Sequence, residues 1–515
     1  MATSVDPAAT TLDQPTSAFA DRSFFGHPKG LRLLFFVEMW ERFSYYGMRA
    51  LLVLYLVNHL KWSVGDAARL YGTYTALVYL TPLIGGWIAD RFIGTRRSLV
   101  IGGIIIASGH FVLALQNTWS FYLGLGLVVA GTGFFKPNVS TMVGQIYRDG
   151  DTRRDSGFTI YYMGINTGAF LAPLVCGYLG QRVGWHWGFA AAGVGMVLGL
   201  IQYIYGRDKL LPGIGYPPGR AQIVGTSTRI ADAPAAIASG GLVPALVGAA
   251  IGAVIAFASG GAAMSYLFGI VIGAALGLTL MGSRGEERRR VIAIFLVCFF
   301  VVFFWMAFEQ AGSSMNLFAD RYTNLQVGSW AIPSTWFQSV NSLFIILLAI
   351  PVAGFWESLS RRSKEPSTAL KMVLGLFLVG IGFLFLVIGS RSIDACIAVH
   401  GKTAADTSGI CAVASPIWLI LAYLFHTLGE LCLSPVGLSY VTKVAPVRFV
   451  SLLMGVWFLA NSAANFLAGL LAARTETISS QAKFFTIPVY TSIGAGILLL
   501  ILVPLIKKLT AGVKA

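Results

Sequence analysis

Charged residues are scarce in this sequence, and their scarcity excludes an ordinary soluble protein. Asp, Glu, Lys and Arg make up 11% of the 515 residues, whereas apolar and aromatic residues make up 56%. Soluble globular domains carry about 25% charged residues. The composition therefore predicts a membrane protein that crosses the bilayer many times.

Cysteine and histidine are also rare, with five and six residues. Their spacing matches no metal-binding pattern, so we expect no metal site. Cys176, Cys298 and Cys432 fall in apolar stretches, where a small buried residue is the default interpretation. Cys396 and Cys411 flank a polar loop on the side predicted to be external, where disulfides persist. They form either a disulfide or two free thiols.

Several segments that other functions require are missing. Residues 1–30 are polar and lack the apolar core of a cleavable signal peptide. The longest predicted loop is too short for the soluble output domain expected of a receptor. We find no nucleophile, metal cluster or phosphate-binding loop of a membrane enzyme, so a carrier is the favoured class.

Apolar runs predict fourteen membrane-spanning helices, since about 20 residues cross the bilayer core. The predicted spans are 31–58, 71–92, 98–115, 119–143, 157–180, 185–206, 242–258, 264–281, 291–318, 332–357, 368–389, 416–441, 449–473 and 484–506. The seventh and eighth spans contain no charge and follow a linker rich in Pro, Gly and Ala. We therefore expect an N-terminal tail (1–30), a six-helix bundle (31–206), a cytoplasmic linker (207–241), an inserted helical hairpin (242–281) and a second six-helix bundle (282–515). Two pseudo-symmetric bundles around a central cavity fit this layout.

The net charge of +15 reflects the orientation of the chain in the membrane. Most Lys and Arg residues fall in the loops on the side of the two termini, and the positive-inside rule makes that side cytoplasmic. The basic balance is therefore no indication of nucleic-acid binding.

Residues 31–56 combine the length of a spanning helix with charged side chains. A charge at the centre of a bilayer costs about 2.5–3.5 kcal/mol on insertion scales, so such groups rarely face lipid. Their spacing places them on one helical face, which indicates a wet site inside the protein. The alternative is that the charges neutralise each other between packed helices. The residues of this face are Glu38, Glu41, Arg42, Tyr45 and Arg49.

Three further charges lie within later predicted spans, namely Lys136, Glu309 and Glu430. Counting along each helix at 1.5 Å per residue places Arg49 and Glu309 near the external mouth. The same count places Lys136 and Glu430 together beyond the midplane. Two pairs of opposite charge at two depths are what alternating gates require. Static salt bridges between helices are the alternative.

Uncharged polar and aromatic residues lie between these two levels. Any one of them is more often a packing residue, but together with the charges they suggest a cavity for a zwitterion. They are Tyr79, Asn166, Asn341, Ser434, Trp305, Trp336 and Trp457.

Three motifs resemble signatures of the proton-coupled oligopeptide transporters of the major facilitator superfamily. They are EMWERFSYYG at 38–47, FFKPN at 134–138 and YYMGINTGAF at 161–170. GGWIADRFIGTRR at 85–97 resembles the loop motif of the superfamily. A pair of inserted helices is typical of bacterial members. The resemblance covers essentially the whole chain.

The resemblance implies a major facilitator fold with 6+2+6 helices in a bacterial inner membrane. It implies symport of di- and tripeptides with protons, without a cofactor, and we expect a monomer in the lipid bilayer. A proton-coupled carrier of nitrate, an amino acid or a drug is the alternative.

By the same resemblance, Glu38, Glu41 and Arg42 couple proton movement to substrate, and we add Glu309 as a carboxylate that can change protonation. Arg49 and Lys136 attract the peptide carboxylate, whereas Glu430, Asn166 and Asn341 receive the amino group. The remaining contacts shape side-chain pockets, namely Tyr45, Tyr46, Tyr79, Tyr162 and Trp457, and we include Arg42, Trp305 and Ser434 among the substrate-binding residues.

Overall fold

The computed structural model describes residues 21–148, 150–216, 242–258, 263–402 and 409–511. Within these ranges the chain is almost entirely helical. The helices are α1 Lys29–Leu54, α2 Val64–Ile88, α3 Gly94–Leu113, α4 Thr118–Gln145, α5 Arg154–Ala172, α6 Trp185–Leu210, α7 Leu242–Ala258, α8 Ala263–Gly282, α9 Gly285–Phe308, α10 Ser314–Arg321, α11 Gln338–Arg361, α12 Thr368–His400, α13 Ile417–Val444, α14 Val450–Ala473 and α15 Gln481–Leu509.

Fourteen of these helices are long, and each overlaps one of the fourteen predicted spans. Ten described helical stretches are long and apolar enough to cross a membrane. One of the ten contains both α2 and α3, while α7 and α13 contain shorter apolar segments. The remaining helix, α1, carries the charges described above. The protein is therefore an all-α, multi-pass membrane protein.

The ninth predicted span, 291–318, is wrong as one continuous helix. A 3-10 turn at Glu309–Gly312 ends α9, and the short α10 follows it. Gly312 lies in this turn against the hydroxyl of Tyr71, where an added Cβ would overlap that hydroxyl. Glu309 consequently lies at a helix end and not within a regular helix.

Local sequence signals account for several helix starts. Ser63 accepts a hydrogen bond from the backbone N–H of Asp66 at the start of α2. Asn117 and Ser120 form a reciprocal capping box at the start of α4. Ser480 accepts from the N–H of Lys483 at the start of α15. Each contact satisfies a backbone donor that the helix itself leaves free.

Successive long helices run in opposite directions, so α1 begins and α15 ends at the same end of the helical array. We call this end the terminal face and the other end the opposite face. A short antiparallel hairpin of β1 (Gln326–Val327) and β2 (Trp330–Ala331) lies at the opposite face, between α10 and α11.

The two six-helix groups meet closely along α2 and α14. A Cβ built on Gly72 would lie 2.7 Å from the Cα of Gly469, so the two backbones touch. Ser462 also donates from Oγ to the carbonyl of Ala76 at 2.6 Å. Glycine is required at this crossing because any side chain would separate the helices.

Candidate functional site

The charged face of α1 is buried. Arg42 Nε lies 2.9 Å from Oε1 of Glu38 and 2.5 Å from Oε2 of Glu41. The three residues are at most 4% exposed. Two carboxylates thus share one guanidinium, so a proton on either carboxyl group brings the cluster to zero net charge. Without that proton the three side chains carry one net negative charge, and an uncompensated buried charge is costly.

Arg49, two turns farther along α1, forms an ion pair with Glu309 at the end of α9. The two side chains are 8% and 4% exposed. Arg49 Nε also donates to the hydroxyl of Tyr71 at 2.5 Å, and its guanidinium lies 5.6 Å from the ring centroid of Tyr46. The pair joins the first six-helix group to the second.

Further hydrogen bonds join the two six-helix groups near the opposite face. Asn58 Nδ2 donates to Asp320 at 2.8 Å, and Gln181 Nε2 donates to Ser334 Oγ at 2.8 Å. Ser334 Oγ donates in turn to Asp320 at 2.8 Å. Arg182 Nη2 donates to the carbonyl of Ala331 in β2. The opposite face is therefore closed across the two groups.

The predicted second pair, Lys136 and Glu430, is not joined in this structure. Lys136 makes no ion pair within the described part of the chain, and its Nζ lies 3.9 Å from the ring centroid of Tyr79. Glu430 accepts hydrogen bonds from Tyr162 Oη at 3.2 Å and from Asn341 Nδ2 at 3.3 Å. The carboxylate of Glu430 thus accepts hydrogen bonds from neutral donors, and the ammonium group of Lys136 lies over an aromatic ring.

Lys136 lies about 27 Å along α4 from Thr118, whereas Glu430 lies about 20 Å along α13 from Ile417. We expect this pair to close when the cavity opens at the opposite face. Its separation here, with that face closed, leaves the expectation a prediction.

A central cavity lies between the two groups. Nine residues predicted as site residues line it, namely Tyr46, Arg49, Tyr79, Tyr162, Asn166, Trp305, Glu309, Asn341 and Glu430. The cavity therefore presents a guanidinium, carboxylates, amides and aromatic rings to one space. This is the chemistry that recognises a small zwitterion.

Other predicted residues do not line the cavity. Arg42 and Lys136 are not among its lining residues, and Tyr45 is a buried residue whose ring centroid is 5.6 Å from Arg42 Cζ. Trp457 is buried against Gly437, where an added Cβ would overlap its ring. The side chain of Ser434 lies outside the residues that the structure describes.

Trp336, predicted as a possible pocket wall, donates from Nε1 to the carbonyl of Leu174 at 3.2 Å. It therefore joins the two groups of helices and does not line the cavity.

Sequence reasoning missed several lining residues, among them Phe308, Gln338, Ser342, Tyr423 and His426. Helical spacing could have found most of them. Gln338 precedes Asn341 by three residues, and His426 precedes Glu430 by four, so each shares a helical face with a predicted residue. None of them carries a formal charge, and a charge within a predicted span is the feature by which the sequence reveals site residues.

Cys396 and Cys411 are joined by a disulfide, with Cα atoms 5.6 Å apart. The bridge ties the end of α12 to the segment before α13. Cys396, His400 and Cys411 form a group of potential metal ligands. Because the two sulfurs are bonded to each other, they do not offer the thiolates that zinc requires. Cys176, Cys298 and Cys432 are buried free thiols.

Comparisons with known proteins agree with this geometry. The model of the POT family matches residues 96–212 and 270–493. A peptide transporter of Yersinia enterocolitica, YePEPT, is 36% identical over 96% of this chain and 98% of its own length. A di-/tripeptide transporter of Lactococcus lactis is 35% identical over 96% and 99%.

A solved structure extends the comparison to three dimensions. The crystal structure of a peptide transporter POT in complex with sulfate is 37% identical to this chain, with a TM-score of 0.77. The match covers 96% of this chain and 99% of that one. The family model and the shared major facilitator architecture lead to one conclusion: this chain is a membrane transporter that belongs to the POT family.

Proposed function

We propose that this protein carries di- and tripeptides across a membrane together with protons, by alternating access. The observation that carries the proposal is the cavity in which Arg49 and Glu430 face the same space. A short peptide has a carboxylate at one end and an ammonium at the other, so it matches this charge pattern. The printed names of the relatives, peptide transporter and di-/tripeptide transporter, support the same substrate class.

The peptide carboxylate binds on the side of Arg49, with Lys136 as a second cation in this proposal. The ammonium binds Glu430, whose neutral partners Tyr162 and Asn341 can remain in place. Because Arg49 is held by Glu309, the substrate carboxylate must compete with the Glu309 carboxylate for one guanidinium. Protonation of Glu309 removes that competition, which couples proton uptake to substrate binding.

The Glu38–Glu41–Arg42 cluster is the second proton site of the proposal. It lies on the same face of α1 as Arg49, and its excess carboxylate can hold a proton while the transporter changes state. A neutral cluster is easier to enclose than a charged one, because each unpaired buried charge is costly. The cluster thus favours reorientation when a proton is bound.

We place the protein in the bacterial inner membrane as a monomer with the terminal face in the cytoplasm. The division into bundles at 31–206 and 282–515, with a linker at 207–241 and a hairpin at 242–281, belongs to the same proposal. With Arg49–Glu309 and the Asp320 contacts holding the opposite face together, the described state is closed to the external side in this proposal.

Uptake into proteoliposomes tests the proposal. Labelled dialanine should accumulate when an inward proton gradient is imposed and should only equilibrate when a protonophore removes that gradient. N-acetylated dialanine, which lacks the ammonium, should compete poorly. Gradient-driven uptake of nitrate or a single amino acid in place of dialanine would overturn the peptide assignment.

A further inference from the structure

The inserted hairpin of α7 and α8 takes no part in the cavity described above. Its two helices meet through glycines: a Cβ on Gly248 or Gly252 would overlap the backbone of Gly273 or Gly269. Glycine leaves the backbones in contact and places no side chain beside the seam. A groove therefore runs along the hairpin.

The groove is long and apolar. It has a volume of about 510 Å³ and is lined mainly by Val247, Ile251, Phe268, Ile272, Leu276 and Leu280. Its lining extends from Ser265 to Met281, about 24 Å of helix. One leaflet accounts for about half of the ~30 Å hydrocarbon core, so the groove can hold an acyl chain along its length. Val247 and Ile251 are 45% and 57% exposed, which leaves the groove open to the bilayer.

One end of the groove carries positive charge. Arg288 Nε donates at 3.1 Å to the carbonyl of Leu280, a lining residue, and to that of Ser283. Arg448 Nη2 donates at 2.9 Å to the carbonyl of Gly282, where α8 ends. Arg284, two residues after Gly282, is exposed and makes no ion pair among the described residues.

Glu286 and Glu287 are the acidic residues of this segment, and they pair with Arg290 and Arg448. Arg284 and the guanidinium Nη groups of Arg288 are therefore available to an anion. Basic side chains at the membrane end of an apolar groove attract the phosphate of an anionic lipid.

We infer that the hairpin is a binding site for one anionic phospholipid, with an acyl chain in the groove and the phosphate at Arg284 and Arg288. Leu280 connects the apolar groove to the basic end of the site. Its side chain lines the groove, and its carbonyl accepts a hydrogen bond from Arg288. This role is independent of peptide transport.

Native mass spectrometry of the full-length transporter tests the site with dioleoyl-phosphatidylglycerol and dioleoyl-phosphatidylcholine. The anionic lipid should be retained preferentially. Arg284→Gln and Arg288→Gln should each weaken it about fivefold, which corresponds to the ~1 kcal/mol expected per basic residue. Arg362→Gln, an exposed arginine at the same face after α11, is the matched control and should change nothing. Thermal unfolding of each variant, compared with wild type, separates lost lipid from lost folding.

A second variant tests the groove. Ile251→Trp should displace the lipid while the arginines remain, whereas Val254→Trp, exposed on the same helix outside the groove, should not. Dihexanoyl-phosphatidylglycerol, with short chains, should bind more weakly than the dioleoyl form.

Three results would overturn the inference. They are equal retention of both dioleoyl lipids, unchanged retention in Ile251→Trp, and a dimer that Ile251→Trp dissociates. The last would assign the groove to a second copy of the chain.

Discussion

Removing one partner of the Arg49–Glu309 pair should open the opposite face. In Glu309→Gln the Arg49 guanidinium keeps its hydrogen bond to Tyr71 but loses its counter-charge. Breaking a buried ion pair in this way costs about 3–5 kcal/mol. In the outward-facing state Arg49 meets water, so most of that cost applies only to the closed state. At the lower value, the ratio of outward- to inward-facing molecules should rise by roughly 150-fold.

Spin labels at Val183 and Val327 can measure this shift. These exposed residues flank the Arg182–Ala331 contact across the opposite face. The three free cysteines are buried and should not react with the label. Wild-type protein should give mainly the short distance of the closed face, and Glu309→Gln mainly a longer one.

The charge-reversed double variant, Arg49→Glu with Glu309→Arg, is the matched control and should return the short distance. An unchanged distance distribution in Glu309→Gln would refute the reasoning, because it would mean that the Asp320 contacts alone keep the face closed.

Three further predictions concern the other sites. Glu41→Gln should abolish accumulation of dialanine against its gradient but leave peptide exchange intact, since the cluster then has no excess carboxylate; concentrative uptake at the wild-type rate would contradict this. Lys136→Ala and Glu430→Ala should each reduce dialanine uptake by at least tenfold. Exchanging the two charges, in Lys136→Glu with Glu430→Lys, should not restore peptide binding, because each peptide terminus would meet a like charge. Full activity in either alanine variant would indicate that the two residues have a static role. Cys396 and Cys411 should be oxidised in the purified protein. Replacing both by serine should lower the free energy of unfolding by up to about 3 kcal/mol for a loop of 15 residues, and uptake should be retained. Detection of two free thiols in unreduced protein by mass spectrometry would exclude the bridge.

The parts of the fold that the sequence could predict are those with a large energetic signal. Apolar length defines a membrane helix because lipid does not solvate an exposed backbone, so the fourteen long helices could be located, although α2 begins seven residues before its predicted span and α12 ends eleven residues after its own. The break at Glu309–Gly312 could not be placed in this way. Tyr71 of α2 packs against Gly312 in this turn, and no local pattern encodes that contact.

The site divides along the same line. Charges within spans are expensive, so α1, Lys136, Glu309 and Glu430 could be identified without a structure. Their pairing depends on depth, and depth depends on where each helix begins. An uncertainty of five residues in a helix start corresponds to about 7.5 Å, more than the reach of an ion pair. The sequence could therefore suggest the Lys136–Glu430 pair but could not establish it. Neutral lining residues such as Gln338 and Tyr423 cost less free energy to bury than charged residues. Their presence in a span therefore does not by itself indicate a site.

The glycine crossing of α2 and α14 has a consequence for capturing the transporter in other states. Any residue larger than glycine at position 72 would occupy space now held by the backbone of Gly469. The described arrangement has no room for even a small aliphatic side chain at this position, while an arrangement with these helices apart can accept it. One substitution at an uncharged position therefore offers a route to a single conformation suited to cryogenic imaging or antibody selection. A small aliphatic residue at position 469, on the other side of the crossing, should favour the same conformation and provides an independent second variant.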